Sequence, residues 1–266
     1  MNRCVKMTSE IDPRAIISST AHLGNGVRVG ALAVVGDGVE LGDECVLEPH
    51  AVLRGPARIG RKNIFDSFCS VGGDPQDLKF SGERTELVVG DANRFREFST
   101  VSRGTTGGGG VTRIGNENLF MAYSHVAHDC IVGSHTVFAN GATLAGHVVV
   151  EDWANVGAFS PVHQFCRIGH YAYVGACTVI TQDVPPFSRV VTERETHCYG
   201  VNTVGLERRG FDRERLDTIE KAFRLLLRSK LNTSQAIEQI RAQLNGSPDV
   251  RELVEFIESA QRGLHK

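Results

Sequence analysis

The sequence predicts a mostly β protein, a parallel β-helix of hexapeptide repeats followed by a C-terminal α-helical domain. Three observations support this. A glycine often follows a recurring apolar residue, as at Gly115 and Gly175, and a small or β-branched residue often lies two positions before it, as at Ala142 and Ala154. The apolar residue recurs every six positions, at Ile114, Phe120, Val126, Val132, Phe138, Leu144, Val150, Val156, Val162, Ile168, Val174 and Ile180. An α-helix or an alternating strand cannot keep one side inward at period six, whereas a solenoid of short stacked strands can.

The same period begins near the N-terminus and survives two interruptions. It runs from Ile11 to Val71, stops, and resumes in phase at Val89, which is 18 residues after Val71 (89 − 71 = 18). An interruption that preserves the phase indicates a loop that leaves one coil and returns to it. We therefore predict a tail over residues 1–10 and a β-helix over residues 11–187, with external loops at 73–86 and 103–112.

The remaining residues, 188–266, change to a helical pattern. Paired prolines at 185–186 end the ladder of strands, because proline cannot donate a backbone hydrogen bond. Asp212, Thr233 and Ser247 then each precede a segment with apolar residues at helical spacing, and each is a good N-cap residue. We expect three helices that cover the open end of the β-helix, where unpaired backbone would otherwise face solvent.

Composition excludes several classes of function. The chain has 29 basic and 31 acidic residues among 266, which gives no electrostatic reason to expect nucleic-acid binding. No apolar run is long enough for a signal peptide or a membrane span, so no membrane span is predicted. Four of the seven cysteines, Cys45, Cys69, Cys130 and Cys166, occupy the small inward position of the repeat. They are interpreted as small hydrophobic residues, which is typical of a reduced, cytoplasmic protein.

Polar residues of the central block form a column. If three hexapeptides make one coil, residues 18 apart stack directly, about 4.8 Å from one coil to the next. His128, Gly146 and Gln164 then lie on three successive coils, with His147 and His163 beside them. A glycine between two polar residues leaves room for a ligand to approach the backbone. The column is therefore the candidate functional site.

Other interpretations of these residues stay open at this point. Outward polar residues of a solenoid can simply be solvated, and three histidines can hold zinc, although the flanking pattern of metal ligands is lacking here. We predict neither a metal nor another cofactor. Asp129 could orient the ring of its neighbour, but adjacent residues on a strand point in opposite directions. The four glycines at 107–110 lack the lysine and hydroxyl residue of a phosphate-binding loop and are interpreted as a flexible loop.

Six segments carry a resemblance to a known family. They read GGDPQDLKFSGE (72–83), HVAHDC (125–130), NGATLAGHV (140–148), VHQFCRIG (162–169), QDVPP (182–186) and GVNTVGLERRGF (200–211). In these motifs, and over nearly its whole length, the chain resembles the UDP-N-acetylglucosamine O-acyltransferases, which carry out the first step of lipid A biosynthesis. The resemblance implies a left-handed β-helix and a homotrimer with sites between subunits.

The resemblance also implies a reaction and its catalytic groups. A 3-hydroxyacyl chain would move from the thioester of acyl carrier protein to the 3-hydroxyl of UDP-N-acetylglucosamine. His128 matches the family's general base, which an alcohol nucleophile requires. The backbone N–H of Gly146 matches the group that stabilises the developing oxyanion.

Further residues match the family's substrate contacts. Those implied for the sugar or acyl group are Gln76, Asp77, Lys79, His147 and His163; those implied for the nucleotide and its pyrophosphate are His125, Gln164, Asn202, Arg208 and Arg209. His125 could instead support the base. Ala176 matches the floor of the acyl-chain groove, where many members have glycine. Ser102 and Val204 also depart from the family pattern, at positions that are often histidine and an acidic residue.

Two other functions remain as alternatives. The same fold could acylate a 3-amino UDP-sugar, or the β-helix could be a non-catalytic scaffold, although a scaffold would not need the polar column. A helical segment with five basic residues is either a docking face for the acidic carrier protein or a solvated surface; its residues are Arg213, Arg215, Lys221, Arg224 and Arg228. Outward aromatic residues indicate an interface, which fits the trimer that the resemblance implies; they are Phe159, Phe165, Tyr171 and Tyr173.

Overall fold

The computed structural model describes residues 8–192, 196–261 and 263–264. Its main body is a three-faced parallel β-helix, in which the chain visits the first, second and third faces in turn and then begins the next coil. In uninterrupted coils each strand pairs with the strand 18 residues later, as His125 pairs with Thr143 and Thr143 with Pro161. The spacing read from the sequence is therefore the length of one coil.

Within the described residues, the first face contains eleven strands. They are β1 (Glu10–Ile11), β4 (Arg28–Val29), β7 (Val46–Leu47), β10 (Ile64–Phe65), β13 (Arg94–Phe95), β16 (Leu119–Phe120), β19 (Val137–Phe138), β22 (Asn155–Val156), β25 (Tyr173–Val174), β26 (Ser188–Thr192) and β27 (Thr196–Val201). All of its pairings are parallel except that of β26 with β27, which is antiparallel. This hairpin follows the last coil.

The second and third faces contain eight strands each. The second is formed by β2 (Ile16–Ile17), β5 (Val34–Val35), β8 (Val52–Leu53), β11 (Ser70–Gly73), β14 (Thr100–Ser102), β17 (His125–Val126), β20 (Thr143–Leu144) and β23 (Pro161–Val162). The third is formed by β3 (His22–Leu23), β6 (Val39–Leu41), β9 (Ala57–Ile59), β12 (Glu86–Val89), β15 (Val111–Ile114), β18 (Ile131–Val132), β21 (Val149–Val150) and β24 (Arg167–Ile168). A short 3-10 turn, Thr106–Gly108, lies between β14 and β15.

The interior is a set of side-chain ladders. Val126, Leu144 and Val162 of the second face are at most 2% exposed. On the first face four phenylalanine rings stack at centroid distances of 4.8 to 5.1 Å, in the order Phe65, Phe95, Phe120 and Phe138. The four inward cysteines are buried free thiols, and burial raises the pKa of Cys130 to about 12. They serve as small core residues.

A ladder of buried asparagines occupies one interior corner. The Asn63 side chain donates to the Gly60 and Gly90 carbonyls, and its oxygen accepts the backbone and side-chain N–H of Asn93. The oxygen of Asn93 accepts the backbone N–H of Asn118, whose own amide donates to the Gly133 carbonyl. Asn63, Asn93 and Asn118 thus occupy the position two residues before the apolar residue, where most coils have a small side chain, and each amide donates to a carbonyl of the next coil.

The coils turn at three edges, where one residue of each coil adopts a positive φ. We call the edge between the second and third faces the histidine edge; it has positive φ at Asp129, His147 and Phe165. The edge between the third and first faces, with His135, Trp153 and Tyr171, is the arginine edge. The edge between the first and second faces, with Phe68, Phe98, Tyr123 and Phe159, is the aromatic edge.

In the part of the chain that the structure describes, four helices follow the hairpin: α1 (Thr203–Glu207), α2 (Arg213–Arg228), α3 (Thr233–Leu244) and α4 (Pro248–Ser259). Asp212 caps α2 and Ser247 caps α4, as predicted. The predicted cap of α3, Thr233, is wrong by one residue, because Asn232 forms a capping box with Gln235. Helix α1 was not predicted, because the segment before residue 211 shows no clear period. No helix within the described residues is long and apolar enough to cross a bilayer.

The described boundaries differ slightly from the predicted ones. The first strand already includes Glu10, and the external loops cover 74–85 and 103–110. The prolines do not end the first face, because β26 pairs in parallel with β25 before the chain turns into the helices. The segment from 188 to 201 therefore continues the β-structure. Residues 1–7 of the predicted tail lie outside the described residues.

Candidate active site

His128 lies on the histidine edge and is held by its neighbour in the sequence. Its Nδ1 is 2.8 Å from Asp129 Oδ2, and the two side chains are 15% and 1% exposed. Neighbouring side chains point in opposite directions only on an extended strand, whereas Asp129 has a φ of 60°. The left-handed corner turns the carboxylate back towards the imidazole, so the sequence-based objection to this pair does not apply.

The Asp129 carboxylate also accepts two hydrogen bonds from the second external loop. The backbone N–H of Thr105 donates to Oδ1 at 2.8 Å, and the Thr105 hydroxyl donates to Oδ2 at 2.6 Å. An ionised carboxylate only accepts hydrogen bonds, so the bond to His128 requires the ring proton on Nδ1. This tautomer leaves the lone pair on Nε2, which is the atom that can act as a base.

Gly146 lies against the His128 ring, one coil further along. The residue is buried, and a Cβ at this position would overlap the imidazole. Among the described residues no acceptor is recorded for its N–H, while its carbonyl accepts from Phe165. The glycine proposed from the sequence is thus required by the position of the histidine.

Two further histidines flank this pair. The His147 ring stacks on Phe165 with a centroid distance of 4.6 Å and lies edge-on to His128 at 5.2 Å. Its Nε2 is 3.8 Å from Asp129 Oδ2, too far for a hydrogen bond. His125 Nδ1 is 2.7 Å from the hydroxyl of Thr100. Burial, followed by the nearby His128, lowers the pKa of His125 and favours its neutral form.

The rest of the predicted column is exposed. His163 and Gln164 lie at the same edge one coil after Gly146, and His163 Nδ1 is 3.1 Å from the Gln164 carbonyl oxygen. Their side chains are therefore accessible to a ligand that occupies the edge. The 18-residue spacing placed all of these residues correctly relative to one another.

The first external loop leaves the β-helix at the histidine edge, between β11 and β12. Within it Asp77 accepts the backbone N–H of Lys79 at 3.0 Å, and Gln76 and Lys79 are exposed. Arg103 anchors the base of the loop through an ion pair with Asp74 and a 2.8 Å hydrogen bond to the Gly72 carbonyl. The three predicted sugar contacts are thus on the same edge as His128, two coils earlier.

One cluster has ligand atoms close enough together for a metal ion. Atoms of His128, Asp129 and His147 lie within 4.8 Å of one another. In the arrangement described, however, Asp129 Oδ2 already accepts hydrogen bonds from His128 and Thr105. The geometry is that of a hydrogen-bonded acid–base pair, and the prediction that the site needs no metal stays a prediction.

A second group of predicted residues lies at the arginine edge. The Arg209 guanidinium is 5.0 Å from the centre of the Trp153 ring and donates to the Gly205 carbonyl at 3.3 Å. Burial lowers the pKa of Arg209. Asn202 caps α1 by accepting the Gly205 N–H at 3.2 Å, and it donates to the Tyr171 carbonyl at 3.3 Å. Arg209 and Asn202 therefore also have structural roles.

A cavity of about 530 Å³ adjoins this group. Its lining includes three arginines, Arg189, Arg208 and Arg209, together with Asn155 and Tyr173. Guanidinium groups favour phosphate oxygens because they donate several hydrogen bonds in a planar fork. The chemistry of the cavity suits a phosphorylated ligand.

One chain does not bring all of the predicted residues together. The base and its neighbours lie on the histidine edge, whereas Asn202 and Arg209 contact the arginine edge and Arg208 lines the cavity that adjoins it. Ala176 lies on the third, aromatic edge and is exposed. A ligand that touches all of these residues would have to reach more than one edge.

Sequence reasoning missed Thr105, Thr100 and Arg189. Thr100 could have been found, because it pairs with His125 in the neighbouring coil. Thr105 lies in a loop that breaks the 18-residue spacing, and Arg189 lies in β26, beyond the last apolar position of the repeat. The six-residue repeat therefore predicts neither Thr105 nor Arg189 as part of a site.

This chain is similar to known proteins over nearly its whole length. Residues 183–265 match the second domain of the family described as Udp N-acetylglucosamine O-acyltransferase, and residues 20–55 and 112–146 match the bacterial transferase hexapeptide repeat. The acyl-[acyl-carrier-protein]–UDP-N-acetylglucosamine O-acyltransferase of Stenotrophomonas maltophilia is 50% identical over 254 residues, which cover 96% of this chain and 97% of the relative. The protein of the same name from Xylella fastidiosa is 48% identical over 259 residues, 97% of this chain and 98% of the relative.

Solved structures show the same fold. The UDP-N-acetylglucosamine acyltransferase of Francisella novicida superposes with a TM-score of 0.92 at 33% identity, over 96% of this chain and 93% of that one. The UDP-N-acetylglucosamine O-acyltransferase of Moraxella catarrhalis superposes with a TM-score of 0.91 at 36% identity, over 96% of this chain and 99% of that one. The predicted fold class, a left-handed parallel β-helix followed by a helical C-terminal domain, is confirmed. The chain belongs to the UDP-N-acetylglucosamine O-acyltransferase family.

Proposed function

We propose that this protein transfers a 3-hydroxyacyl chain from the thioester of acyl carrier protein to the 3-hydroxyl of UDP-N-acetylglucosamine, the first step of lipid A biosynthesis. The names of its relatives identify both substrates. The observation that carries the proposal is the His128–Asp129 pair, which leaves His128 Nε2 free to accept a proton beside Gly146. We place the reaction in the cytoplasm.

The chemistry follows from that pair. The sugar hydroxyl oxygen attacks the thioester carbonyl while His128 Nε2 takes its proton, because an alcohol is a weak nucleophile until the proton is removed. The Gly146 N–H donates to the oxyanion of the tetrahedral intermediate. The intermediate then expels the carrier's sulfur, which receives the proton from His128 and leaves as a thiol. The buried Asp129 carboxylate stabilises the imidazolium between these two steps.

We propose that the site is completed by a neighbouring subunit of a homotrimer, the histidine edge of one chain facing the arginine edge of the next. This arrangement explains why residues implied for one ligand lie on two edges of one chain. Exposed aromatic residues support an interface, since Phe159, Phe165 and Tyr173 are 66%, 52% and 39% exposed. Tyr171 does not contribute in this way, because it packs against Phe187 and Phe211.

Mixed trimers test the shared site. His128→Ala removes the base, and Arg208→Glu reverses an exposed charge of the arginine cavity, so each variant alone should be inactive. In trimers assembled at random from both, about a quarter of the sites combine an intact histidine edge with an intact arginine edge. Co-expression should therefore restore about a quarter of the wild-type rate. Mixed trimers with no recovered activity would contradict the shared site.

We propose that the carrier protein docks on the exposed basic side of α2. Lys221, Arg224 and Arg228 are exposed, whereas Arg215 is committed to Asp249 by two hydrogen bonds and covers the Phe211 ring. Lys221→Glu and Arg224→Glu should each raise the KM for the acyl carrier protein, and more strongly at low salt. Lys62→Glu, an exposed charge near the opposite end of the β-helix, is the matched control. Equal KM values for all variants would exclude this face.

The direct test offers purified protein a hydroxyacyl carrier protein with UDP-N-acetylglucosamine or with its 3-amino analogue. Ester formation on the first acceptor supports the proposal. Amide formation on the analogue alone would replace it with the second candidate, which the same residues could serve because an amine also loses a proton during acyl transfer. No transfer to either acceptor would refute both.

A further inference from the structure

The second external loop makes its hydrogen bonds to the Asp129 side chain through a single residue. Residues 103–110 leave the histidine edge one coil before His128, and Thr105 supplies both hydrogen bonds that the loop makes to the Asp129 carboxylate. The carboxylate is 1% exposed and His128 Nδ1 shares Oδ2 with the Thr105 hydroxyl. Both of its oxygens are therefore fixed, and Thr105 supplies two of the three hydrogen bonds.

The loop is built to place Thr105 at this point. The Thr105 carbonyl accepts the N–H groups of Gly108 and Gly110 at 3.0 and 2.8 Å, which closes a tight turn, and the Gly104 N–H donates to Glu86 at 3.2 Å. Just after the loop, in β15, the Thr112 hydroxyl accepts the backbone N–H of Asp129 at 2.8 Å. The side chain of Asp129 is thus held by the loop, and its backbone by the strand that follows the loop.

One glycine of the run has a specific steric role. A Cβ at Gly108 would fall 2.1 Å from Asp129 Cγ and 2.3 Å from Oδ2, whereas a Cβ at Gly107 would meet nothing within 4 Å. Neither residue has a positive φ, so backbone strain does not distinguish them. The glycine run is thus more than the flexible loop predicted from the sequence, because at Gly108 the main chain lies directly against the carboxylate.

We propose that Thr105 and Gly108 are positioning residues for the general base. They fix the Asp129 carboxylate in the orientation that keeps the proton on His128 Nδ1 and the lone pair on Nε2. Neither residue touches the reacting atoms, so they act through Asp129. This inference rests on the proposed acyl transfer for its kinetic consequences, but its structural content, the tautomer of His128, can be measured without substrates.

The first test replaces the Thr105 hydroxyl. Thr105→Val removes the bond to Oδ2 and keeps the size of the side chain, so kcat should fall about 10- to 100-fold, the usual effect of losing a hydrogen bond to a charged group. The KM values for both substrates should not change, and Thr105→Ser should restore most of the rate. In a protein that already carries Asp129→Asn, Thr105→Val should lower kcat by less than about twofold, because the two residues act as one unit.

The second test compares neighbouring glycines. Gly108→Ala should lower kcat at least about tenfold by displacing the carboxylate, since misplacing a reacting group by about 1 Å can cost 10²-fold. Gly107→Ala adds the same methyl group one residue earlier and should keep the wild-type rate. Thermal unfolding of both variants shows whether the fold is intact. Equal rates for the two variants would refute the role of Gly108.

The third test needs no activity. The side-chain ¹⁵N shifts of His128, assigned by comparison with His128→Ala, should show the Nδ1–H tautomer in the wild-type protein and a mixture of tautomers in Thr105→Val. If the wild-type protein transfers no acyl group but the tautomer changes as expected, the proposed function fails and the positioning role stands. If the wild-type protein is active while Thr105→Val keeps both its rate and its tautomer, the positioning role is refuted.

Discussion

Gly146 packs against the imidazole of His128: a Cβ on this glycine would fall 2.6 Å from Cε1 and 2.8 Å from Nε2. The two residues belong to successive coils, and Asp129 holds the same ring from its Nδ1 side. The imidazole therefore has little freedom to move, and the residue proposed to bind the oxyanion also defines the position of the base.

This contact makes Gly146→Ala a sharp test of the site. The added methyl group must push the ring aside, and we expect kcat/KM to fall by about 10²-fold, the effect of misplacing a catalytic group by about 1 Å. Gly246→Ala is the matched control, since a Cβ at Gly246 meets nothing within 4 Å. Steady-state kinetics and thermal unfolding of both variants check the prediction. A Gly146→Ala variant with the wild-type rate would show that the ring need not stay where it lies.

Removing the base should affect turnover more than binding. His128→Ala should fold, bind the UDP-linked product and turn over at least about a hundredfold more slowly, because a general base acts mainly in the transition state. The exposed His163 should behave differently, with His163→Ala weakening ligand binding more than turnover. Equilibrium binding and single-turnover rates separate the two effects. If His128→Ala lost only affinity, another residue would have to be the base, and His125 and His147 lie nearest.

The wild-type rate should fall on acidification, because a protonated imidazole cannot accept the hydroxyl proton. His125 should not cause this fall, because burial lowers its pKa and it therefore becomes protonated only at more acidic pH. A His125→Asn variant, measured over the same pH range, should keep the acidic limb of the profile. Loss of that limb in His125→Asn would assign the titration to His125.

Acyl selectivity should respond to Ala176. If its methyl group forms the floor of the acyl groove, Ala176→Gly opens space for about one more methylene, which is worth roughly 1–3 kcal/mol of discrimination. We expect preference to shift towards longer hydroxyacyl chains, measured as kcat/KM across a series of acyl carrier proteins. Because Ala176 lies on the aromatic edge, away from His128 in the same chain, an altered profile would also support a groove formed with another subunit. An unchanged profile would remove Ala176 from the groove.

Stability should depend on pH through Glu252 of α4. Burial, followed by repulsion from Glu151, Asp249 and Glu255, raises the pKa of Glu252 from 4.5 to about 7. A raised pKa in the folded state means that stability is complete below about pH 4.5 and is lost as the pH rises through about 7.

Glu252→Gln should therefore raise the Tm at pH 8 and have a smaller effect at pH 5. Glu252 is only half-buried, so we discount the effect for solvent screening to about 1 kcal/mol, or about 2–4 °C. The exposed Glu238→Gln is the control and should give no pH-dependent change. Thermal unfolding at the two pH values checks this. An equal Tm gain at pH 5 and pH 8 would contradict the prediction.

The regular part of the fold could be predicted because the repeat fixes both the strand and its partner. The 18-residue spacing placed His128, Gly146 and Gln164 on one edge, since every coil between them has the same length. Thr105 could not be found in this way, because an external loop has no periodic partner. The role of Thr105 is seen only in the folded structure, where its hydroxyl and backbone N–H contact Asp129.

The hydrogen bond between adjacent residues His128 and Asp129 marks another limit. Alternation along a strand argues against it, and only the positive φ of Asp129 permits it. The residue type does not predict this positive φ, because 18 residues of many types other than glycine adopt a positive φ in the described structure. The division of the predicted substrate contacts between two edges could not be read from the repeat either, because Asn202, Arg208 and Arg209 lie beyond its last apolar position.

The buried asparagines affect which coils pair with each other when the β-helix folds. Apolar hexapeptides are nearly interchangeable, so a coil could settle on the wrong neighbour without losing much burial. Asn63, Asn93 and Asn118 remove that freedom, because each amide fits only against the backbone and side chain of its correct neighbours. A misplaced coil would leave buried amide groups unpaired, at about 1–3 kcal/mol each. The asparagine ladder thus specifies which of the otherwise similar coils pair with each other during folding.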